Sequence, residues 1–331
     1  MGEGLCEKIF FLFTQKSNCT KIGKVTKGVR PMVLKNMINV QLMMFLLVIV
    51  GFIVRKTQIV GSEGRKNLIN LCLYVTLPFN IANAFLGKFS WDMLVTSGLV
   101  LLLSVGFNLV SILIAFLLYR KEDKEQKTLC YGTIVSNGSF LGNPVIEGVY
   151  GSTGLFYNAL FMLPVRVVVW TVGISVFLKG EKVNLWKKVL LHPCVVAMYI
   201  GAIFILTGVR LPGFLEETIS GISGSNTPLS MMLVGMMLAE MNPKGLFRKN
   251  LFFYTFVRLI LIPAVILAIT AKLPIDPMLR GITVIIAGMP TPITTVLLAS
   301  KYGGDEECAT GMIFMSTVLS MITLPLLCLF I

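Results

Sequence analysis

From residue 37 to residue 331 the chain is a succession of apolar runs, most of them close to twenty residues long and bounded by charge or by Gly and Pro. A hydrocarbon layer about 30 Å thick needs roughly 20 apolar residues per helical crossing. Ten such crossings are therefore expected: Met37–Val54, Leu68–Leu86, Met93–Tyr119, Thr128–Tyr150, Leu155–Phe177, Val189–Thr207, Leu229–Glu240, Leu251–Ala271, Leu279–Ala299 and Ala309–Ile331. The seventh run is short and must extend back into the polar stretch 220–228. Only 14% of the residues are charged and 55% are hydrophobic, against about 25% charged in soluble globular chains, so lipid is the expected solvent and an all-α integral membrane protein the expected class.

A net charge of +13 would suit a nucleic-acid partner if the basic residues shared one face, but they cluster between the apolar runs and read as membrane-flanking charges; no nucleic acid is expected. Alternate loops hold sixteen Lys and Arg (in 55–66, 120–127, 179–188, 244–249 and at 301) against four (Lys88, Arg210, Lys272, Arg280). The positive-inside bias puts the richer set in the cytoplasm, with both termini outside a cell membrane. The basic segment 1–36 conflicts with that orientation, and the reading favours an over-long translation start, with the initiator at Met32 or Met37, over a tail carried across. The seven cysteines are scattered without a C-x-x-C pair, so neither a metal site nor a disulfide framework is indicated.

Internal similarity is the most informative pattern. Laid over itself at an offset of 152 residues, the chain brings Tyr150-Gly151 onto Tyr302-Gly303. In each copy an apolar half-helix runs into a Gly/Pro-rich break, Ser136-Asn137-Gly138 through Gly142-Asn143-Pro144 in one and Gly288-Met289-Pro290-Thr291-Pro292 in the other. Residues 37–180 and 186–331 then form two five-helix repeats, and because five is odd the second enters the membrane inverted. Matched interruptions are the best sequence pointer to a transporter's binding site. Proline supplies no N–H and clashes with the preceding turn, and polar backbone freed at bilayer depth persists only where protein, water or substrate satisfies it. Half-helix N-termini at such breaks are ready anion sites.

With these residues the sequence resembles the auxin efflux carrier family. The resemblance is carried by Tyr74-Val75-Thr76-Leu77-Pro78, by Ser136 through Pro144, by His192-Pro193 with Gly201, by Thr227-Pro228-Leu229-Ser230-Met231 through Gly235, by Met289-Pro290 with Lys301-Tyr302-Gly303-Gly304-Asp305, and by Ser316–Pro325. It covers nearly everything from Val40 onward. It implies a ten-helix inverted repeat with crossed discontinuous fourth and ninth helices, as in sodium/proton antiporters. Spans one, two, six and seven would form a scaffold and the rest a moving core, and a homodimer through the scaffold is among the expected assemblies. The implied substrate is a small carboxylate such as malate, malonate or an auxin-like acid, and the implied site maps onto Asn137, Pro144 and Pro290. The chain departs from the family pattern at Asn143, where a hydrophobic residue is common, and at Arg166, where a polar uncharged one is.

The candidate binding residues are Asn137, Gly142, Asn143 and Pro144 at the first break, Pro290, Thr291 and Pro292 at the second, and two mid-membrane arginines, Arg166 and Arg258. Arginine at that depth is functional or paired by default, and it keeps its proton; each either offsets a substrate carboxylate or tethers carbonyls freed by the breaks. Asn137 and Asn143 are amide donors or helix caps. Thr291, Thr294 and Thr295 line the break or bond back to their own helix, while Asn80 and Asn108 are expected to hydrogen-bond between helices. Glu147 is a proton carrier or an arginine's partner, and His192 an interfacial residue. No glycine-rich phosphate loop, metal cluster or nucleophile motif is present, so an enzyme, a cofactor and ATP-driven transport are not expected. The expected function is secondary transport of a small organic anion by alternating access, the alternative being a proton- or sodium-coupled carrier for another small solute.

Overall fold

The computed structural model describes residues 19–86, 91–177, 191, 193–207, 211–240 and 248–331, and the side chains of all of these except 19–37, 91–95, 170, 174, 205, 206, 297 and 301. Lipid offers backbone groups no hydrogen-bond partner, which leaves the helix as the way for a lone segment to cross it, and the described residues are helical almost throughout, with no strand among them. In chain order the helices are α1 (Cys19–Lys56), α2 (Ser62–Phe85), α3 (Trp91–Leu118), α4 (Lys124–Ile134), α5 (Gly142–Phe177), α6 (Pro193–Thr207), α7 (Gly213–Glu240), α8 (Lys249–Ala271), α9 (Pro277–Ala287), α10 (Thr294–Tyr302) and α11 (Glu306–Cys328). Among the described residues, six stretches are long and apolar enough to span a bilayer: Ile38–Lys56, Ser62–Phe85, Thr96–Leu118, Gly142–Phe177, Lys249–Ala271 and Glu306–Cys328. Pro193–Phe204 and Pro277–Ala287 are shorter apolar helices.

Three element boundaries differ from those read in the sequence. α1 begins at Cys19, well before the apolar stretch. The short seventh run belongs to a 28-residue helix that starts at Gly213 and passes through Pro228; in its polar first half Ser223 and Asn226 are buried against α2. The second half of the broken fourth segment runs on into the fifth as α5, with a kink at Gly151, whose φ of 67° requires glycine. Gly303, ending α10, is left-handed too (φ 76°). Residues 1–18, His192 and the loop lysines 179–188 lie outside the described residues.

The helices form two groups that share one hydrophobic core. α1, α2, α6 and α7 form one bundle, and its closest approach is between α1 and α7: a Cβ at Gly51 would land in the backbone of Met232, and one at Gly235 in the backbone of Val48. Small residues permit such contact in membranes, where packing rather than hydrophobicity holds helices together. Where the bundle meets the Arg-rich face, Glu240 of α7 is clamped by Arg55 and Arg65 (the latter at 2.9 Å). α3, α4, α5 and α8 to α11 make up the second group. Asp123, Asp276 and Asp305 cap the N-termini of α4, α9 and α11, accepting from Gln126 N (2.7 Å), Met278 N (2.7 Å) and Cys308 N (2.9 Å).

Of the three five-residue π-helical turns among the described residues, Val169–Gly173 lies in α5, and Cys72–Thr76 in α2 and Val257–Leu261 in α8 each end two residues before a proline, Pro78 and Pro263. A proline cannot donate to the preceding turn, and widening that turn is one way to accommodate it. The turn in α8 carries Arg258.

Candidate functional site at the crossing of two broken helices

Between α4 and α5 the chain is non-helical over 135–141, and between α9 and α10 over 288–293. The two interruptions meet: the Asn137 N–H donates to the Pro290 carbonyl at 3.0 Å, and the Ser136 hydroxyl to the Ile286 carbonyl at 2.6 Å. The freed backbone groups are further satisfied within each break, where the Asn137 carbonyl accepts from Leu141 N and Gly142 N (3.3 and 3.0 Å) and the Pro292 carbonyl from Thr295 N (3.0 Å). Gly138 and Gly142 allow the crossing, since a Cβ at either would press on Ile286. α5 and α10 start here without a side-chain cap, so two positive helix ends converge on one place.

Around the first break runs a chain of amides. Asn158 donates to the Gly138 carbonyl (2.9 Å) and to Asn143 Oδ1 (2.6 Å); Asn143 donates to Asn80 Oδ1 (3.0 Å); Asn80 donates to Ser223 Oγ (3.2 Å). All are buried. Asn143 is thus engaged with α2 and with Asn158 and does not cap α5. Glu147, half-buried, sets its carboxylate against the same Asn80 and forms no ion pair with an arginine among the described residues. The Asn137 side chain, 3% exposed, makes no hydrogen bond to any described residue. Pro144 lies in the first turn of α5 and is buried.

Around the second break the polar groups are hydroxyls. Tyr254 of α8 donates to the Gly132 carbonyl (2.9 Å) and shares a 2.6 Å hydrogen bond with Thr291 Oγ1. Ser316 of α11 lies 3.0 Å from Thr291 Oγ1 and accepts from Thr291 N at 3.0 Å. Thr294 is 3.5 Å from the Tyr131 hydroxyl, and the fully buried Thr295 hydroxyl has no partner among the described residues. None of these three threonines bonds back to its own helix, one of the two expectations for them. Asn108 does the opposite of what was expected, donating to Ser104 of its own helix at 2.7 Å rather than across.

The two arginines differ. Arg166 (9% exposed) reaches the Ser139 hydroxyl at 3.4 Å and the Met198 sulfur at 3.9 Å. Arg258 is 0% exposed, and its Nε, Nη1 and Nη2 all lack a partner among the described residues. Neither bonds a carbonyl freed by a break. One turn before Arg258 on the same face stands Tyr254, the residue whose hydroxyl meets the second break. The sequence reading missed Asn158, Tyr254 and Ser316; the signal available was a polar residue within an apolar run, and for Tyr254 its four-residue spacing from Arg258.

Comparison with known proteins places the chain. A family model described as membrane transport protein matches residues 33–328. An uncharacterized transporter of Methanothermobacter thermautotrophicus is 30% identical over 296 residues, 86% of this chain and 95% of that protein. A second, from Methanocaldococcus jannaschii, is 24% identical over 303 residues, covering 87% and 96%. The uncharacterized transporter YfdV of Escherichia coli is 24% identical over 200 residues, 56% of this chain and 62% of its own length. With its apolar helices and a match over most of its length, the chain belongs to the membrane transport protein family of auxin efflux carriers and is a multi-pass membrane transporter.

Proposed function

We propose that the protein is a secondary transporter for a small organic anion, a mono- or dicarboxylate, bound where the two broken helices cross and moved across the cell membrane by alternating access. Ten crossings in two inverted halves, with both termini outside, complete the reading. The observation that carries it is the convergence of two uncapped half-helix N-termini on one crossing, in a group of helices with two buried arginines that no carboxylate among the described residues pairs with. Such a place holds positive potential in a medium that screens it little. The free amide of Asn137 is the natural donor to a carboxylate oxygen there, and Arg166 reaches the same break through Ser139.

Motion follows from the packing. In the bundle of α1, α2, α6 and α7 the main chains of α1 and α7 touch directly, whereas the bundle meets the crossing through side chains, those of a shared apolar core and hydrogen bonds such as Asn143 to Asn80 that can be exchanged one for another. Reconstitution tests the proposal: proteoliposomes should take up radiolabelled malate, malonate or indole-3-acetate. Transport of neutral solutes of the same size, with none of these acids moved, would end the anion reading. Glu147, set against Asn80, supports a second reading, proton-coupled transport of another solute; an imposed pH gradient driving that solute uphill, lost in Glu147→Gln, would favour it.

A further inference from the structure

Among the described residues no carboxylate pairs with either arginine of the helices around the crossing. Salt bridges lie at the Lys/Arg-rich face, between Glu240 and Arg55 or Arg65 and between Arg248 and Asp305 or Glu307. Arg258 has three bare nitrogens at zero exposure, and Arg166 has only a hydroxyl and a thioether. Glu147, the acidic residue nearest the first break, is directed at Asn80 of the other bundle. A guanidinium does not release its proton, so the charge cannot be shed to water as the transporter changes state.

We infer that the transporter is an obligatory anion exchanger, an inference that rests on the small-anion reading above. Loaded with a carboxylate, the helices of the crossing approach neutrality and pass through the bilayer; empty, they carry the arginine charge through a low-dielectric medium and across the membrane potential. The empty return is the slow step, and an anion on the far side removes it. No nitrogen of the Arg258 guanidinium bonds to the break or to any described residue, so Arg258 acts through its field rather than by contact and is a positioning charge. An uncompensated unit charge crossing the whole potential changes a rate or population by at most about fiftyfold per 100 mV, so net flux must depend on voltage and exchange must not.

The experiment uses proteoliposomes containing the full-length protein, loaded with radiolabelled malonate and diluted into sulfate buffer with or without external unlabelled malonate, at potentials set by potassium and valinomycin. Expected is efflux about tenfold or more faster with external malonate, with the net mode alone responding to voltage. In Arg258→Gln the two modes should converge and the voltage response shrink. Equal rates in the two modes for the unaltered protein, or a voltage response in exchange as large as in net flux, overturn the inference while leaving the carboxylate reading intact. Absence of malonate, malate and indole-3-acetate movement in either mode overturns both. Should Arg258→Gln fail to fold, the voltage comparison on the unaltered protein decides alone.

Discussion

The two breaks solve one physical problem with different chemistry. At the first, amides satisfy one another in a line from Ser223 through Asn80, Asn143 and Asn158 to the Gly138 carbonyl, tying the crossing to its neighbour bundle. At the second, hydroxyls of Tyr254 and Ser316 both meet that of Thr291 within one group of helices, and Arg258, one turn from Tyr254, is left bare. The first site is built to be attached and the second to be charged. An amide both donates and accepts, so a chain of them can be extended or exchanged; a guanidinium only donates, and unsatisfied it waits for an anion.

The sharpest test of that contrast is Arg258→Gln. Removing a buried charge that acts on the anion through its field should weaken malonate binding about thirtyfold, the size of a through-space attraction between unit charges in a partly screened interior, as measured by ligand-induced thermal stabilisation of the purified protein. The ligand-free protein should melt no lower, because an unpaired buried charge disfavours the fold. If Arg166→Gln weakens binding as much, the division between an attached and a charged site fails. Next in size, Asn158→Leu should cost about 1–2 kcal/mol, the upper range for hydrogen bonds between membrane helices, because both Gly138 and Asn143 lose their donor; a lowered melting temperature in detergent reads it. Tyr254→Phe should cost about 0.6–1 kcal/mol on the same scale while leaving the ratio of net to exchange flux unchanged, since Arg258 stays in place. Smallest of all, Ser139→Ala removes only a 3.4 Å contact to Arg166, and its effect should fall below about 0.5 kcal/mol.

Proline and glycine made both breaks legible, because their backbone chemistry acts locally: Pro144, Pro290 and Pro292 interrupt hydrogen bonding wherever they stand. The partners were not legible. Asn143 looked like a cap because caps are local, yet its amide goes to Asn80, 63 residues away. Asn158 is an isolated polar residue in an apolar run, and only the kink at Gly151 brings it back onto Gly138. The seventh span read as short for a similar reason. Ser223 and Asn226 look too polar for lipid, but they are buried against Asn80 and Thr76 of α2, the latter hydroxyl 3.0 Å from Asn226 Oδ1, and polarity that is paired inside a bundle costs little. Arg258 was placed near mid-membrane by counting residues along its helix; that it lacks any partner depends on its neighbours from other helices.

Gly51 and Gly235 bring the α1 and α7 main chains into contact, and this has a mechanical corollary. Neither helix can slide past the other without driving carbonyl into carbonyl, so the pair behaves as a weld. A cysteine cross-link bridging α1 and α7 near that contact should therefore leave substrate traffic undisturbed, whereas one joining the positions of Asn80 and Asn143 should arrest it, turning the difference between a fixed seam and a sliding one into something a reductant can switch on and off.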